Sequence, residues 1–268
     1  MNHAVIHHYD TPVTIAQVRE IGTAQVWNWL AAGWKDIQAA PGRSLAYGVA
    51  LAVASYLITL GVIASGLYFL IPLLLAGFFL VAPQLGIGLY EISRQLEAGE
   101  PPSWQATLQT FRENGFNLLT MGVILVVAMI AWMGLAQMVV ALTYTGITPA
   151  TWQGFIASLF GTWEGAQLLV IGSACGAAIA FLVFASSAVA IPMLLDRPST
   201  NAFDAILTSW NTVRHNPLPM LLWAGILVAI VFAGFLTLYV GLVIGFPLAA
   251  HATWHAYRDL VAKGSRPT

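Results

Sequence analysis

Residues 44–90 read SLAYGVALAVASYLITLGVIASGLYFLIPLLLAGFFLVAPQLGIGLY, without a single Asp, Glu, Lys or Arg. A helix crossing a bilayer needs roughly 20 apolar residues, so this run is about twice the length of one crossing. Ser65-Gly66 is its best turn signal, which predicts a first membrane helix over 45–64 and a second over 67–90. The class that follows is an all-α polytopic membrane protein.

The rest of the chain agrees. Of its 268 residues, 59% are hydrophobic and 8% charged, where soluble domains carry roughly 25% charged residues, and the mean hydropathy is +0.79. A water-soluble fold is excluded. Further crossings are expected over 116–142 and 166–195, and the apolar stretch 217–250 has room for two short helices with a turn near 234–238, the sixth running on towards Tyr257. The chain thus divides into an N-terminal tail with an amphipathic helix at 1–42, a six-helix membrane domain at 43–260 and a short tail at 261–268.

Between the spans lie amphipathic segments. Val18, Val26, Leu30, Trp34 and Ile37 recur at helical spacing beside Arg19, Glu20, Lys35 and Asp36, which predicts a helix lying on the membrane surface. The polar stretch 91–114 is expected to be a loop ending in a short amphipathic piece with Trp104, Leu108 and Phe111. Phe203, Ile206, Leu207, Trp210 and Val213 mark a second interfacial helix within 196–216. The segment with Thr143, Tyr144, Thr145, Pro149, Trp152, Trp163 and Glu164 reads as a linker.

Basic residues accumulate in short loops on the cytoplasmic side. Arg19, Lys35, Arg43, Arg94, Arg112, Arg197, Arg214, Arg258, Lys263 and Arg266 all fall on one side of a six-span arrangement, which puts both termini in the cytoplasm. Met1 to Asp10 reads as disordered and lacks the basic and apolar regions of a cleavable signal peptide, so the first span is expected to act as the insertion signal and remain. The formal net charge of −1 gives no reason to propose nucleic acid as a partner. Cys175 is the only cysteine, so no disulfide within the chain and no cysteine-based metal cluster can form.

A weak repeat is visible. Phe79, Leu80, Val81, Thr110, Arg112 and Asn114 recur at a constant offset as Phe181, Leu182, Val183, Thr212, Arg214 and Asn216. Each copy would hold a span, an amphipathic segment and a second span in the same orientation, a parallel repeat.

The most site-like feature is His251-Ala-Thr-Trp-His255. Histidines at i and i+4 share a helix face and can bind a metal such as zinc, with His215 or Asp259 as a further ligand; two nitrogens from one helix cannot take opposite faces of a haem. The plain alternative is a helix end at headgroup depth, where His, Trp254, Tyr257 and Arg258 collect because amphipathic rings and basic groups favour it. Tyr90, Glu91, Ser93 and Arg94, then Asp196 and Arg197, then Arg258 and Asp259, mark the basic ends of helices two, four and six. They read either as a proton or cation site at a cavity mouth or as the points where helices leave the bilayer; the spans carry none of the mid-membrane charges usual in ion-coupled transport.

Pro72, Pro83, Pro192 and Pro247 are candidate kinks. Gly172-Ser-Ala-Cys-Gly176 and Gly241-Leu-Val-Ile-Gly245 have the small-residue spacing that allows close helix approach. No phosphate-binding glycine loop, serine elbow or HExxH motif is present, so an enzyme is not indicated.

Ala40-Pro41 with Ser44-Leu45 and Tyr47-Gly48, the stretch Gly88 to Glu100 (GLYEISRQLEAGE), Pro192 to Arg197 (PMLLDR) and His251 to Leu260 (HATWHAYRDL) together resemble a group of predicted bacterial integral membrane proteins, domain of unknown function 2189. The resemblance spans about residues 25–262. It departs at Gln95, where a second Arg is typical, and at Ala250, where Gly is. It implies a bacterial inner membrane, with motif residues concentrated at the cytoplasmic ends of helices two, four and six. Members are sometimes labelled cytochrome c oxidase subunits, but a haem-copper catalytic subunit needs about twice as many spans, with histidines inside several, and this chain has none between His8 and His215.

Three functions follow in order. The first is a non-enzymatic protein whose partners, besides the lipid bilayer, are other membrane proteins or further copies of itself. The second is a small-molecule or lipid transporter, and the third a metal- or haem-binding protein linked to respiration. No cofactor is expected under the first two, and a metal at His251 and His255 under the third.

Overall fold

The computed structural model describes residues 15–67, 70–143 and 151–262; the expectations for Met1 to Asp10, for linker residues 144–149 and for Lys263 and Arg266 lie outside them. The described residues form α1 (Ala24–Ala39), α2 (Pro41–Ala64), α3 (Ile71–Leu85), α4 (Ile87–Glu97), α5 (Trp104–Thr143), α6 (Trp152–Gly161), α7 (Trp163–Ser187), α8 (Ala190–Asp196), α9 (Ala202–His215), α10 (Pro217–Leu236) and α11 (Leu242–Leu260). Beyond these helices there is one isolated antiparallel bridge, Val18 to Val261.

Five helical stretches are long and apolar enough to cross a membrane: Pro41–Ala64, Ile71–Glu97, Arg112–Thr143, Trp163–Asp196 and Pro217–Leu236. α11 corresponds to the sixth expected span. It is apolar to Ala250 and polar from His251 on.

The expected turns fall where local chemistry puts them. α2 ends at Ala64 and Gly66 takes φ 71°, so that Gly66 N–H reaches the Ile63 carbonyl and Leu67 N–H the Val62 carbonyl, each at 3.0 Å, the closing pattern that favours glycine. Between α10 and α11 the reversal expected near 234–238 falls at residues 237–241, because α10 continues to Leu236.

Three segments differ from expectation. Past a break at Gly86 the second span resumes as α4, so Glu91, Arg94 and Gln95 sit in helix rather than loop; their side chains pair with one another, which lets the helix continue. The linker contains α6, whose start Thr151 caps by accepting from Gly154 N–H, and Thr162 caps α7 in the same way from Gly165 N–H. α1 begins at Ala24, because residues before it are extended: Arg19 N–H donates to the Leu260 carbonyl at 2.8 Å and Ala262 N–H to the Gln17 carbonyl at 2.9 Å.

The buried face of α1 is Val26, Trp29, Gly33 and Ile37, turned on α11, while Trp34, expected on the apolar stripe, is exposed. Helix-to-helix contact selects the small residue: a Cβ on Gly33 would lie 2.7 Å from the Ala252 nitrogen. α2 follows the same rule. It buries Ser44, Gly48 and Ala52 and exposes Val49, Val53 and Leu57, the inside-small, outside-large pattern of a helix packed in lipid. Of the two glycine pairs, Gly241 and Gly245 face Gly234 and Ile230 of α10. In the other pair, Gly176 meets the Trp132 ring but Gly172 has no neighbour within 4 Å.

A sharp break between an amphipathic helix and a span occurs three times. An amphipathic helix meets a span at Ala40 (φ −133°, ψ 54°), at Asn114 (φ −131°, ψ 28°) and at Asn216 (φ −126°, ψ 53°). Asn114 and Asn216 are buried, and each donates to a passing backbone carbonyl, Leu194 at 2.8 Å and Arg19 at 3.0 Å. After each break one helix leads away and a second returns: α2 and α3/α4, then the long arm of α5 and α7/α8, then α10 and α11.

Candidate functional site

The ends of the returning helices meet in a polar layer built around the second half of α11. From His251 onward its polar side chains alternate between two faces, as a 3.6-residue period dictates. One face turns to α1 and α2, with Ser93 of α4 reaching in between them. His251 is fully buried, with Nε2 2.9 Å from the Ser44 hydroxyl and Nδ1 2.7 Å from the Ser93 hydroxyl. Ser93 donates its own proton to Asp36 Oδ2 at 2.6 Å, and His255 Nε2 lies 2.8 Å from the same oxygen. The order of donors follows from chemistry. Because Ser93 gives its proton to a carboxylate, its oxygen accepts from His251 Nδ1–H, which leaves Nε2 to accept from Ser44. One turn on, Asp259 Oδ2 accepts from the Trp29 indole at 2.8 Å and from Gln25 at 2.7 Å.

The other face turns to α4 and α8. The Trp254 indole donates to Glu97 at 3.0 Å, and Arg258 bridges Glu97 and Asp196, each at 2.9 Å. Tyr257 donates its phenol proton to Asp196 Oδ2 at 2.6 Å, and Arg197 reaches the phenol oxygen at 3.1 Å. Beside this face Glu91, fully buried, accepts from Arg94 at 2.7 and 2.8 Å and from Gln95 at 2.7 Å. Gln95, the departure from the family pattern, is itself buried and accepts from Ser103 N–H at 2.6 Å.

The four sequence motifs, far apart in the chain, thus converge: Ser44 and Ser93 on His251, Asp196 on Tyr257 and Arg258. Of the singled-out residues, Glu91, Arg94, Asp196, Arg197, His251, Trp254, His255, Tyr257, Arg258 and Asp259 all belong to the layer. His215 does not: it is exposed on α9 and bonded to the Asn211 carbonyl. Among the described residues no group of three or more His, Cys, Asp or Glu side chains is disposed to hold a metal ion. Sequence reasoning missed Gln25, Trp29, Asp36 and Glu97 as partners; the available signal was Asp36 standing between Gly33 and Ile37, on the side of α1 that is buried.

Tyr90 lies outside the layer's hydrogen-bond network. Together with Trp223 it lines a cleft of about 420 Å³ between α3, α7, α10 and α11, walled by Phe79, Ala180, Phe184 and Val228 among others, with Ala250 on its α11 side. The cleft is apolar and no charged residue lines it. Among the described residues neither the Tyr90 hydroxyl nor the Trp223 indole N–H has a hydrogen-bond partner, though the residues are only 3% and 1% exposed. Both lie towards the polar layer: Tyr90 precedes Glu91 in α4, and the Trp223 ring meets that of Trp29 edge-on at 5.6 Å.

No curated protein and no solved structure matches the chain. The helices that carry two of the converging motifs, Gly88 to Glu100 and Pro192 to Arg197, lie in residues 70–196, and that segment matches the family model of a predicted integral membrane protein, DUF2189.

Proposed function

We propose that the chain is a six-crossing protein of a bacterial inner membrane, both ends in the cytoplasm, that holds or hands on a membrane lipid or similarly apolar small molecule in its cleft without chemical turnover. The cleft carries the reading. Ligand sites run to roughly 300–1,000 Å³, mostly apolar with a few polar groups, and this one combines about 420 Å³ of apolar space with two unpartnered polar groups. The topology rests on two supports. The basic residues partition to one side, and the pairing of Val18 with Val261 supports an even number of crossings between them, with α11 taken as the sixth.

The polar layer reads as a clasp. Glu91 and His251 are fully buried and the other carboxylates and His255 are engaged within the layer, Glu97 at its exposed edge, and paired charges of this kind fix an arrangement more than they add net stability. That turns the polar sequence inward and favours the ligand reading over partner assembly and over a metal at His251 and His255. The test is native mass spectrometry with metal analysis on protein extracted gently from its own membrane. The expected result is one apolar molecule per chain, lost when Ala180→Phe fills the cleft. A bare chain in a stoichiometric protein complex would replace this reading with assembly, and a metal that disappears in His251→Ala would replace it with metal binding.

A further inference from the structure

The cleft has a position in the three-fold arrangement that bears on what enters it and from where, an inference that rests on the ligand reading above. Three hairpins in a ring have three seams, each between one returning span and the next outgoing one. Two are closed. α3 packs along α5, with Gln84 donating to the Leu118 carbonyl at 3.0 Å and the Trp132 indole to the Leu73 carbonyl at 3.1 Å. α11 packs along α2, with Gly48 against the Val243 carbonyl and Thr59 bonded to Tyr239 at 2.6 Å. The equivalent third seam, α7 with α10, has no comparable packing, and the cleft lies in it. α9 stands between the two helices at the polar end: Trp210 meets Phe181 of α7 edge-on at 6.4 Å and donates to Ser186 at 3.0 Å, while α9 also touches α10.

The rim of the open seam is continuous with the lipid-facing surface. Phe181 on α7 and Leu221 and Val228 on α10 line the cleft and are 51%, 67% and 51% exposed. The occupant is therefore drawn from the bilayer. Its chemistry follows from the two unpartnered groups. An indole N–H only donates and a phenol can donate, so they match an acceptor, and the absence of any charged lining residue excludes a carboxylate or phosphate inside the cleft. We propose that the α7–α10 seam is a lateral doorway through which one acyl chain of a bilayer lipid enters, its ester carbonyl accepting from Tyr90 and Trp223 while the headgroup stays outside.

The experiment uses the full chain in vesicles of phosphatidylethanolamine and phosphatidylglycerol doped with a phosphatidylethanolamine carrying a diazirine in one acyl chain. After illumination, peptides of α7 and α10 are expected to carry several-fold more label than those of the α3–α5 and α11–α2 seams, within the unaltered protein. Ala180→Phe with Gly225→Phe should bring them down to the level of the others. Exchanging the ester for an ether-linked probe should lower labelling in the unaltered chain but not in Tyr90→Phe/Trp223→Phe. Even labelling of all three seams overturns the doorway, and equal labelling by ester and ether probes overturns the carbonyl assignment. A ligand seen by native mass spectrometry without seam preference leaves the broader reading standing; no ligand at all removes it.

Discussion

Asp36 shows how little of a buried network a single residue announces. One of its oxygens receives both Ser93 and His255, and through Ser93 it fixes the proton on His251. Hydrogen bonds to a charged group are worth about 1.5–3 kcal/mol each, and removing the carboxylate leaves buried donors unmatched. Asp36→Ala is therefore expected to lower unfolding stability by about 2–4 kcal/mol, read by thermal melting in detergent. Lys35→Ala, exposed on the same helix, should change it by less than about 0.5 kcal/mol; equal losses would mean the layer is not a clasp. The α11 half of this network was legible because its polar residues stand three and four apart at a helix end. The other half was not, since periodicity reports which residues share a face but not which face meets another some 200 residues away. Asp36 carries the same letter whether it is solvated or buried, and Ser44 and Ser93 offer no charge to notice.

Helices and turns were read more successfully than their partners. The turns after α2 and between α10 and α11 rest on local signals, and so does the amphipathic start of α5. The direction of α1 does not: its large residues suggested a membrane-surface stripe, whereas the small Gly33 decides the contact with α11. The turn into α11 is also costly, because Leu238 and Tyr239 have φ of 50° and 71°, a region where side chains are strained by about 1–2 kcal/mol. Tyr239 is held by Thr59, but Leu238 is exposed and makes no such bond. Leu238→Gly is expected to raise stability by a few tenths to about 1 kcal/mol, and a lower melting temperature would contradict it. Gly48→Val, in contrast, drives a side chain into the Val243 backbone and should separate α2 from α11 with a loss of about 1–3 kcal/mol or more.

For the whole molecule, the paired terminal segments turn topology into a measurable statement. In a Cys175→Ala background, a cysteine at exposed Gly99 or Ser199 is expected to react with an impermeant maleimide only from the cytoplasmic side, and one at Gly161 or Leu238 only from the other. Reaction of all four from one side would break the six-crossing arrangement. The apolar helices themselves were legible from their composition; the third junction of an amphipathic helix with a span was not, because its likeness to the other two is in backbone angles rather than in letters. The open seam was invisible for a related reason, since it is the lack of a contact that the other two hairpin junctions make.

α11 comes after every other described helix, and it is the one on which α1, α2, α4 and α10 all pack. Chains emerge from the ribosome N-terminus first at about 5–20 residues per second, so Asp36, Ser93, Glu97 and Asp196 are made and inserted well before their partners on α11 exist. Biosynthesis of this protein is thus a wait with the interior ajar, and its half-made form, a bundle of apolar helices with bare carboxylates at one end, is the species that a membrane chaperone or protease would meet.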